Sequence, residues 1–349
     1  ALGLDFEAPE GGELDVHLGE VRTGAAAVDR APGGSRCAYS VQVPLKAGRH
    51  AYRIAPPPRP VRGNAIPMPA AVGEVLPFRY AELRWRVAGG TASRVRQEAV
   101  FYPLDIGQSR FHSSDRVLND VWELCRYTML ATSFCGVFVD GNRERLPYEA
   151  DAYINQLGVY CCAREFALAR FSHEYLITHA TWPTEWILYS IFMAWADYQY
   201  TGDIEALRRW YPDLKAKALE PLARPDGLIS TEPGRVPESV LDSIHLRGTL
   251  RDIVDWPPGE RDSYELGAIN TVPNAVRCQA LRLLGQIAAA LGRDAEAAAY
   301  RAQAARVRDA LQALLMDPQT GLFFDSEGSR HQSLHATAFS LAFGLVPEA

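Results

Sequence analysis

The residues best suited to chemistry lie in one acidic stretch between positions 140 and 151. Gly141 and Pro147 disfavour a helix through its middle and predict a loop, which can direct several side chains to one point. Cleavage of a glycosidic bond needs a protonated acid at the leaving oxygen and a second carboxylate at the opposite face of the sugar. The stretch therefore favours glycosidic chemistry, while surface ion pairing, or helix capping by Asp151, is the alternative explanation. Its charged residues are Asp140, Arg143, Glu144, Arg145, Glu149 and Asp151.

The charges around Glu144 act on its pKa in opposite directions. Neighbouring carboxylates raise the pKa of a glutamic acid by repulsion, whereas Arg143 and Arg145 lower it. Tryptophans strengthen the case for a sugar site, because their rings stack on the apolar face of a sugar, although core packing is the alternative for each of them. Trp182, Trp186, Trp195, Trp210 and Trp256 all fall in the second part of the chain.

Other catalytic chemistries find little support in the motifs. His331 and His335 are four residues apart and can share a helix face, but without an HExxH context, capping or core hydrogen bonding is a better interpretation than metal binding. No GxSxG elbow and no phosphate-binding glycine loop occurs. The six cysteines contain no CxxC pair, and we interpret most of them as buried thiols. The sequence therefore predicts no metal and no organic cofactor.

Charge and hydropathy disfavour two broad classes of protein. The formal net charge is −6, and no run of lysine or arginine offers the basic face that nucleic acid binding needs. The apolar stretches at residues 188–196 and 334–346 are shorter than the roughly 20 residues of a membrane-spanning helix. We therefore expect neither a nucleic acid partner nor a membrane span.

The first part of the chain has the pattern of short strands. Polar and apolar residues alternate in three runs, and clusters of glycine and proline separate these runs. Many short strands with such turns favour a β-sandwich, which we predict for residues 1–105. The alternating runs are residues 13–18, 39–43 and 78–85, and the turn clusters are residues 10–12, 31–34 and 56–60.

The second part, residues 106–349, has helical periodicity. Ser114 and Asp115 can cap a first helix. About seven helices with short connections fit either an open solenoid or a closed ring of hairpins, and the lack of a fixed repeat favours the ring. A long insert at 221–262 is expected to form a wall of the site. Further predicted helices cover residues 151–178, 184–201, 203–219 and 272–291, and Gly202 and Gly292 are expected to end helices.

The acidic stretch resembles the signature of bacterial α-L-rhamnosidases of glycoside hydrolase family 78, through Asp140-Gly-Asn-Arg-Glu-Arg-Leu146 followed by Asp151. Three further stretches resemble parts of the same family in the same order. These are Phe78-Arg-Tyr80 before the barrel, Val254-Asp-Trp-Pro-Pro258 in the barrel mouth, and the helix start from His331 to Phe339. The resemblance covers most of the chain.

The resemblance implies an (α/α)6 barrel, incomplete in this chain, that hydrolyses terminal α-L-rhamnose with inversion. By this resemblance Glu144 is the general acid, and Asp140 and Asp151 hold sugar hydroxyls. Arg143 belongs to the same pocket, and Trp256 borders the sugar. The implied partner is a rhamnose-containing glycoside or polysaccharide.

Two features depart from the family pattern. Pro147 and Tyr148 stand where the family has Gly-Trp, and the spacing from the first aspartate to the glutamate is shorter. Tyr148 is expected to replace the missing tryptophan as a wall of the sugar pocket. Asp255 is expected to lie in the same pocket, beside Trp256.

The resemblance also places the general base on a later barrel loop, beyond the end of this chain. A ring of six hairpins needs more helices than the chain supplies, so we expect the 349-residue polypeptide alone to be inactive. Two other classes of function stay open at this stage. One is a non-catalytic carbohydrate-binding or scaffold protein with a degenerate barrel, and the other is a helical-repeat interaction module.

Overall fold

The computed structural model describes residues 1–61 and 63–347, which form two compact units. Unit 1 consists of Ala1–Leu104 and Tyr127–Leu146, and unit 2 of Asp105–Arg126 and Pro147–Ala349. The segment that carries most of the acidic stretch therefore clusters with the β-rich part of the chain. The division into domains at residue 105 stays a prediction, and the last two residues of its second domain lie outside the described residues.

Two small antiparallel sheets make up most of unit 1. Its described residues form eight strands: β1 (Leu2–Ala8), β2 (Gly12–Gly19), β3 (Arg22–Thr23), β4 (Ala27–Val28), β5 (Ala38–Leu45), β6 (Gly48–Ile54), β7 (Tyr80–Trp85) and β8 (Thr91–Gln97). One sheet has the order β6-β1-β8, the other has the order β5-β2-β7, and β3 pairs with β4. The three predicted alternating runs are confirmed as strands β2, β5 and β7, although β7 begins two residues later than predicted. The turn clusters lie between strands, except that Gly12 is the first residue of β2.

The two three-stranded sheets share one apolar core. Successive side chains of a strand point to opposite faces, so alternate residues of the central strands β1 and β2 are buried. The ring of Phe6 meets the ring of Trp85 edge-on, with 5.3 Å between centroids. The buried residues that these two strands contribute to the core are Leu2, Leu4, Phe6, Ala8, Leu14, Val16 and Leu18.

Nine α-helices follow in the described residues. They are α1 (Arg116–Thr132), α2 (Glu149–Cys162), α3 (Ala167–Thr178), α4 (Thr184–Thr201), α5 (Ile204–Lys217), α6 (Glu238–Ser243), α7 (Thr271–Ala290), α8 (Asp294–Leu315) and α9 (Leu334–Ala342). Within unit 2, α7 packs against α4, α8 and α9, and α4 also packs against α2, α3 and α5. None of these helices is both long enough and apolar enough to cross a membrane.

Helix ends follow the local signals in the sequence. The Asp115 carboxylate accepts the amide of Val117 (2.8 Å) and caps α1. Gly202, with φ of +70°, ends α4, and Asp203 then accepts the amide of Glu205 (2.9 Å) and caps α5. The predictions for α4, α5 and α7 are confirmed to within two residues at each end.

The predicted helix 151–178 is wrong as one element, because the structure divides it into α2 and α3. Ala163 is extended, with φ of −144° and ψ of 160°. The Glu165 carboxylate then accepts the amides of Ala167 (2.7 Å) and Leu168 (3.1 Å) and caps α3. The long insert 221–262 has little regular structure besides α6.

The cysteines are only partly as expected. All six are free; Cys135, Cys162 and Cys278 are buried, and Cys37 is half-buried. Cys125 and Cys161 are exposed, so the interpretation as buried thiols is wrong for these two. Their helices present those faces to solvent, which the apolar composition alone does not reveal.

Candidate active site

The acidic stretch forms a closed loop in unit 1, between Asp140 and Leu146. The Asp140 amide donates to the Leu146 carbonyl (2.9 Å), and the Leu146 amide donates to Asp140 Oδ1 (3.1 Å). Inside the loop, the Arg145 amide donates to the Gly141 carbonyl (3.0 Å). Gly141 has φ of +132°, a conformation that glycine adopts without steric cost. The prediction of a loop at this place is confirmed.

The side chain of Arg145 anchors this loop in the interior of unit 1. It is completely buried, forms an ion pair with Glu74, and donates to Asn142 Oδ1 (2.8 and 3.0 Å) and to the Val75 carbonyl (3.2 Å). Burial alone would raise the pKa of Glu74, but hydrogen bonds from Arg145 and from the amides of Arg59 and Val75 outweigh it, so this pKa is lowered. Glu74 is therefore ionised and compensates the buried guanidinium.

Glu144 lies on the solvent side of the same loop. Its side chain is 39% exposed, and Oε1 is 2.7 Å from the Arg143 guanidinium. That guanidinium also lies 3.9 Å from Asp140 Oδ2, whose side chain is only 13% exposed. The structure thus brings three predicted site residues together in unit 1: an accessible carboxyl, a shared cation and a second carboxylate that is tied to the backbone.

Tyr148 and Asp151 lie at the start of α2, in unit 2. Tyr148 directly precedes the helix in extended conformation, with φ of −125° and ψ of 143°, and Asp151 is in the first turn. Between them, Glu149 is completely buried and accepts the amide (3.1 Å) and the hydroxyl of Thr181. Glu149 therefore fixes the start of α2 and has no access to a substrate.

A buried lysine accompanies this glutamate. Burial raises the pKa of Glu149, and the charge of Lys217 opposes that shift. Burial lowers the pKa of Lys217 to about 8, while Glu149 opposes the shift. The Lys217 ammonium donates to the Ile244 carbonyl (3.2 Å). The two groups form part of the interior of unit 2 and belong to its packing.

Tyr148 belongs to an aromatic cluster, which we define as Tyr148, Trp182 and Trp186. Tyr148 and Trp186 meet edge-on at 5.0 Å between centroids, and Trp186 and Trp182 lie 6.4 Å apart. The Arg251 guanidinium stacks over Trp182 at 4.2 Å. All three rings are half-buried, so each has an accessible part. Such a surface offers stacking contacts to a sugar.

Asp255 and Trp256 lie on a loop that is bound to the start of α4. The Arg251 amide donates to the Trp182 carbonyl (3.1 Å), and the Thr184 amide donates to the Arg251 carbonyl (3.0 Å). This pairing places the loop beside the aromatic cluster. The side chain of Asp255 is 50% exposed, and Trp256 is 59% exposed.

The carboxylate of Asp255 has two hydrogen-bond partners. Its Oδ1 accepts the amide of Trp256 (2.7 Å), and its Oδ2 lies 3.0 Å from Nε2 of His335. His335 is in α9, so the hydrogen bond links the loop to a third element of unit 2. The other ring nitrogen of His335 is buried without a partner in the described residues. The expected capping or core hydrogen bonding is wrong for His335, because its partner is a half-exposed carboxylate on a distant segment.

The residues that support the site have weak signals in the sequence. Trp182 and Trp186 are identifiable in the sequence only as aromatic residues, because Trp182 precedes the N-cap of α4 and helical spacing does not link the two. Glu185, between them, did not stand out. In the described residues, no group of three or more histidine, cysteine, aspartate or glutamate side chains could hold a metal ion.

Accessible aromatic rings in the helical unit and an acidic loop are features of carbohydrate-active enzymes. Residues 107–349 match the family model described as the bacterial alpha-L-rhamnosidase 6 hairpin glycosidase domain. This match covers more than half of the chain, so the chain belongs to that glycoside hydrolase family. The sequence-based resemblance to rhamnosidases is confirmed. A search of curated proteins found no match.

Solved structures of rhamnosidases have a similar fold. A GH78 family rhamnosidase of Bacillus sp. GL1 matches 99% of this chain with a TM-score of 0.69 and 20% identity. A rhamnosidase from Klebsiella oxytoca, solved with rhamnose bound, matches 99% with a TM-score of 0.66 and 13% identity. The chain spans 34% of the first protein's length and 66% of the second's. At these levels of sequence identity, the similarity shows only that the fold is shared.

Proposed function

We propose that this protein hydrolyses terminal α-L-rhamnosides with inversion at the anomeric carbon, and that Glu144 is the general acid. Family membership supports the class of reaction, and the rhamnose bound to the similar Klebsiella oxytoca structure supports the sugar. The position of Glu144 supports its assignment as the general acid. Its carboxyl is accessible, while the buried side chain of the next residue, Arg145, fixes the backbone that holds it.

Glu144 has to carry a proton when it meets the glycosidic oxygen. The Arg143 guanidinium lies 2.7 Å from Glu144 Oε1, where its N–H groups can also donate hydrogen bonds to a sugar hydroxyl beside the acid. A general base then activates water on the opposite face, with its carboxyl roughly 6.5–9.5 Å from the acid.

The other predicted residues bind the sugar in this proposal. Asp140 and Asp151 accept hydrogen bonds from hydroxyl groups, and Asp255 does the same beside Trp256. The exposed ring of Trp256 and the ring of Tyr148 stack on apolar faces of the sugar. The partners of Tyr148 in the aromatic cluster widen this stacking surface.

We also propose a fold for each of the two parts of the chain. The two sheets with a common core support a β-sandwich for residues 1–105. The packed helices and the six-hairpin family match support assignment of residues 106–349 to the N-terminal part of an (α/α)6 barrel.

The test is hydrolysis of an aryl α-L-rhamnoside by the complete natural protein, followed by proton NMR. We expect β-L-rhamnose as the first product, before mutarotation mixes the anomers. An α-anomer as first product would contradict inversion. Binding of rhamnose without any hydrolysis would support the non-catalytic alternative instead.

A further inference from the structure

A strained turn ends at Asp255, and the exposed Trp256 follows it directly. The Asp255 amide donates to the Ile253 carbonyl (2.8 Å), which closes a three-residue turn centred on Val254. Val254 has φ of +66°, and a β-branched residue rarely adopts this left-handed conformation. Such a conformation persists only where the surroundings hold it.

Glu185 supplies the hydrogen bonds that hold this turn. It lies in the first turn of α4 and is 2% exposed. Its two carboxyl oxygens lie 3.2 and 3.3 Å from the amide of Ile253. Its Oε1 also accepts the amide of Val254. A single side chain from another element thus binds both amides that lead into the turn.

Asp252, the residue before the turn, is also held by hydrogen bonds. Asp252 Oδ1 accepts the hydroxyl of Thr231 (2.6 Å), and Oδ2 accepts the side-chain amide of Asn270 (2.7 Å). At the last residue of the turn, the Asp255 carbonyl accepts Arg261 Nε (2.7 Å). The segment is therefore bound on both sides of Val254, and the exposed residues follow directly.

The protonation state of Glu185 is compatible with these bonds. Burial, with a further contribution from the charge of Asp252, raises the pKa of Glu185 to about 8. At neutral pH the carboxyl therefore carries a proton for most of the time. Both amides bind Oε1, so a proton on Oε2 leaves their acceptor intact.

We propose that Glu185 is a positioning residue, which holds the turn at residues 253–255 and so sets the orientation of Asp255 and Trp256 in the sugar site. The role of that orientation in catalysis rests on the proposed function. The required feature of Glu185 is its acceptor oxygen. Glutamine retains this oxygen, whereas leucine has a similar size but cannot accept a hydrogen bond.

Fluorine NMR of protein labelled with 5-fluorotryptophan tests the positioning without any substrate. The chain has seven tryptophans, and Trp256→Phe identifies the resonance of interest. We expect Glu185→Leu to shift or broaden the Trp256 resonance, because both amides lose their acceptor, and Glu185→Gln to leave it in place. Asp197→Leu is the matched control, since it removes another buried carboxylate from α4 and should not move this resonance.

An unchanged Trp256 resonance in Glu185→Leu, or an equal change in Asp197→Leu, would overturn the proposal. If Glu185→Leu does not fold, Glu185→Asp provides the same test. It retains the carboxyl group but withdraws it by one methylene, so the Trp256 resonance should again move. A resonance at the wild-type position in Glu185→Asp would then overturn the proposal.

Kinetics on an aryl α-L-rhamnoside tests the consequence for catalysis. We expect Glu185→Leu to lower kcat/KM by about 10- to 100-fold, because misplaced binding groups reduce the rate. Glu185→Gln should retain the wild-type kcat/KM. In a Trp256→Ala background Glu185→Leu should lower kcat/KM much less, because both changes disturb the same contact. Full additivity would overturn the catalytic part. A wild-type protein without rhamnosidase activity would overturn the proposed function, and the fluorine spectra would still decide the positioning role.

Discussion

Arg145 directly follows Glu144 in the chain, yet its side chain is completely buried whereas that of Glu144 is 39% exposed. The φ of +57° at Arg145 accompanies this reversal of direction. The arginine binds Glu74, 71 residues earlier in the chain, and so ties the acidic loop to the interior of unit 1. The glutamate is then held at the surface by a backbone with little freedom to move.

The ion pair of Arg145 and Glu74 should contribute strongly to stability. Arg145→Met leaves the carboxylate of Glu74 buried without a counter-charge, so we expect the free energy of unfolding to fall by about 3–5 kcal/mol. Urea unfolding followed by circular dichroism measures this change. Arg143→Met is the control, because Arg143 is 52% exposed and should cost about 0–1 kcal/mol. Equal losses in the two variants would contradict the anchoring role.

Glu144→Gln should abolish most of the proposed acid catalysis. An amide cannot protonate the leaving oxygen, so turnover of rhamnosides with poor leaving groups should fall at least about 100-fold. An activated aryl leaving group needs less protonation and should suffer less. Glu98→Gln is the matched control, because Glu98 pairs with Arg53 at 2.7 Å in unit 1 and is 31% exposed. A similar loss on both kinds of substrate would argue against Glu144 as the acid.

Trp256→Ala should weaken sugar binding and leave the fold largely intact. The ring is 59% exposed, so its removal creates no core cavity, while the lost stacking contact should cost about 1–3 kcal/mol in rhamnose binding. Isothermal titration with rhamnose measures the affinity, and a thermal melt monitors the fold. Trp85→Ala, at an exposed tryptophan of unit 1, should not change the affinity. Unfolding of Trp256→Ala with unchanged residual affinity would make Trp256 a structural residue.

The buried carboxyl of Glu185 should make stability depend on pH. Its folded-state pKa of about 8 lies above its ordinary value of 4.5, so the folded protein retains a proton that the unfolded chain releases. This contribution is fully present below pH 4.5 and is lost as the pH rises through about 8. Between these values, the wild type should lose up to about 1.4 kcal/mol per pH unit relative to Glu185→Gln. Urea unfolding of both proteins across this range measures it, and a constant difference would contradict the assignment.

The sequence by itself determined the local elements and the place of the acidic loop. Alternation predicted β2, β5 and β7, and Gly202 predicted where α4 ends. Gly141 and Pro147 predicted that the acidic stretch is a loop. These signals act between residues that are close in the chain, so a single sequence contains them.

Only the tertiary structure decided which charged residues are accessible. Glu144 and Glu149 look alike in the sequence, but one is exposed and the other is completely buried against Thr181. Glu185 gives no local signal at all, because the amides that it binds lie 68 and 69 residues later in the chain. Burial and long-range hydrogen bonds arise when distant segments pack together, and the pattern of neighbouring residues does not encode them.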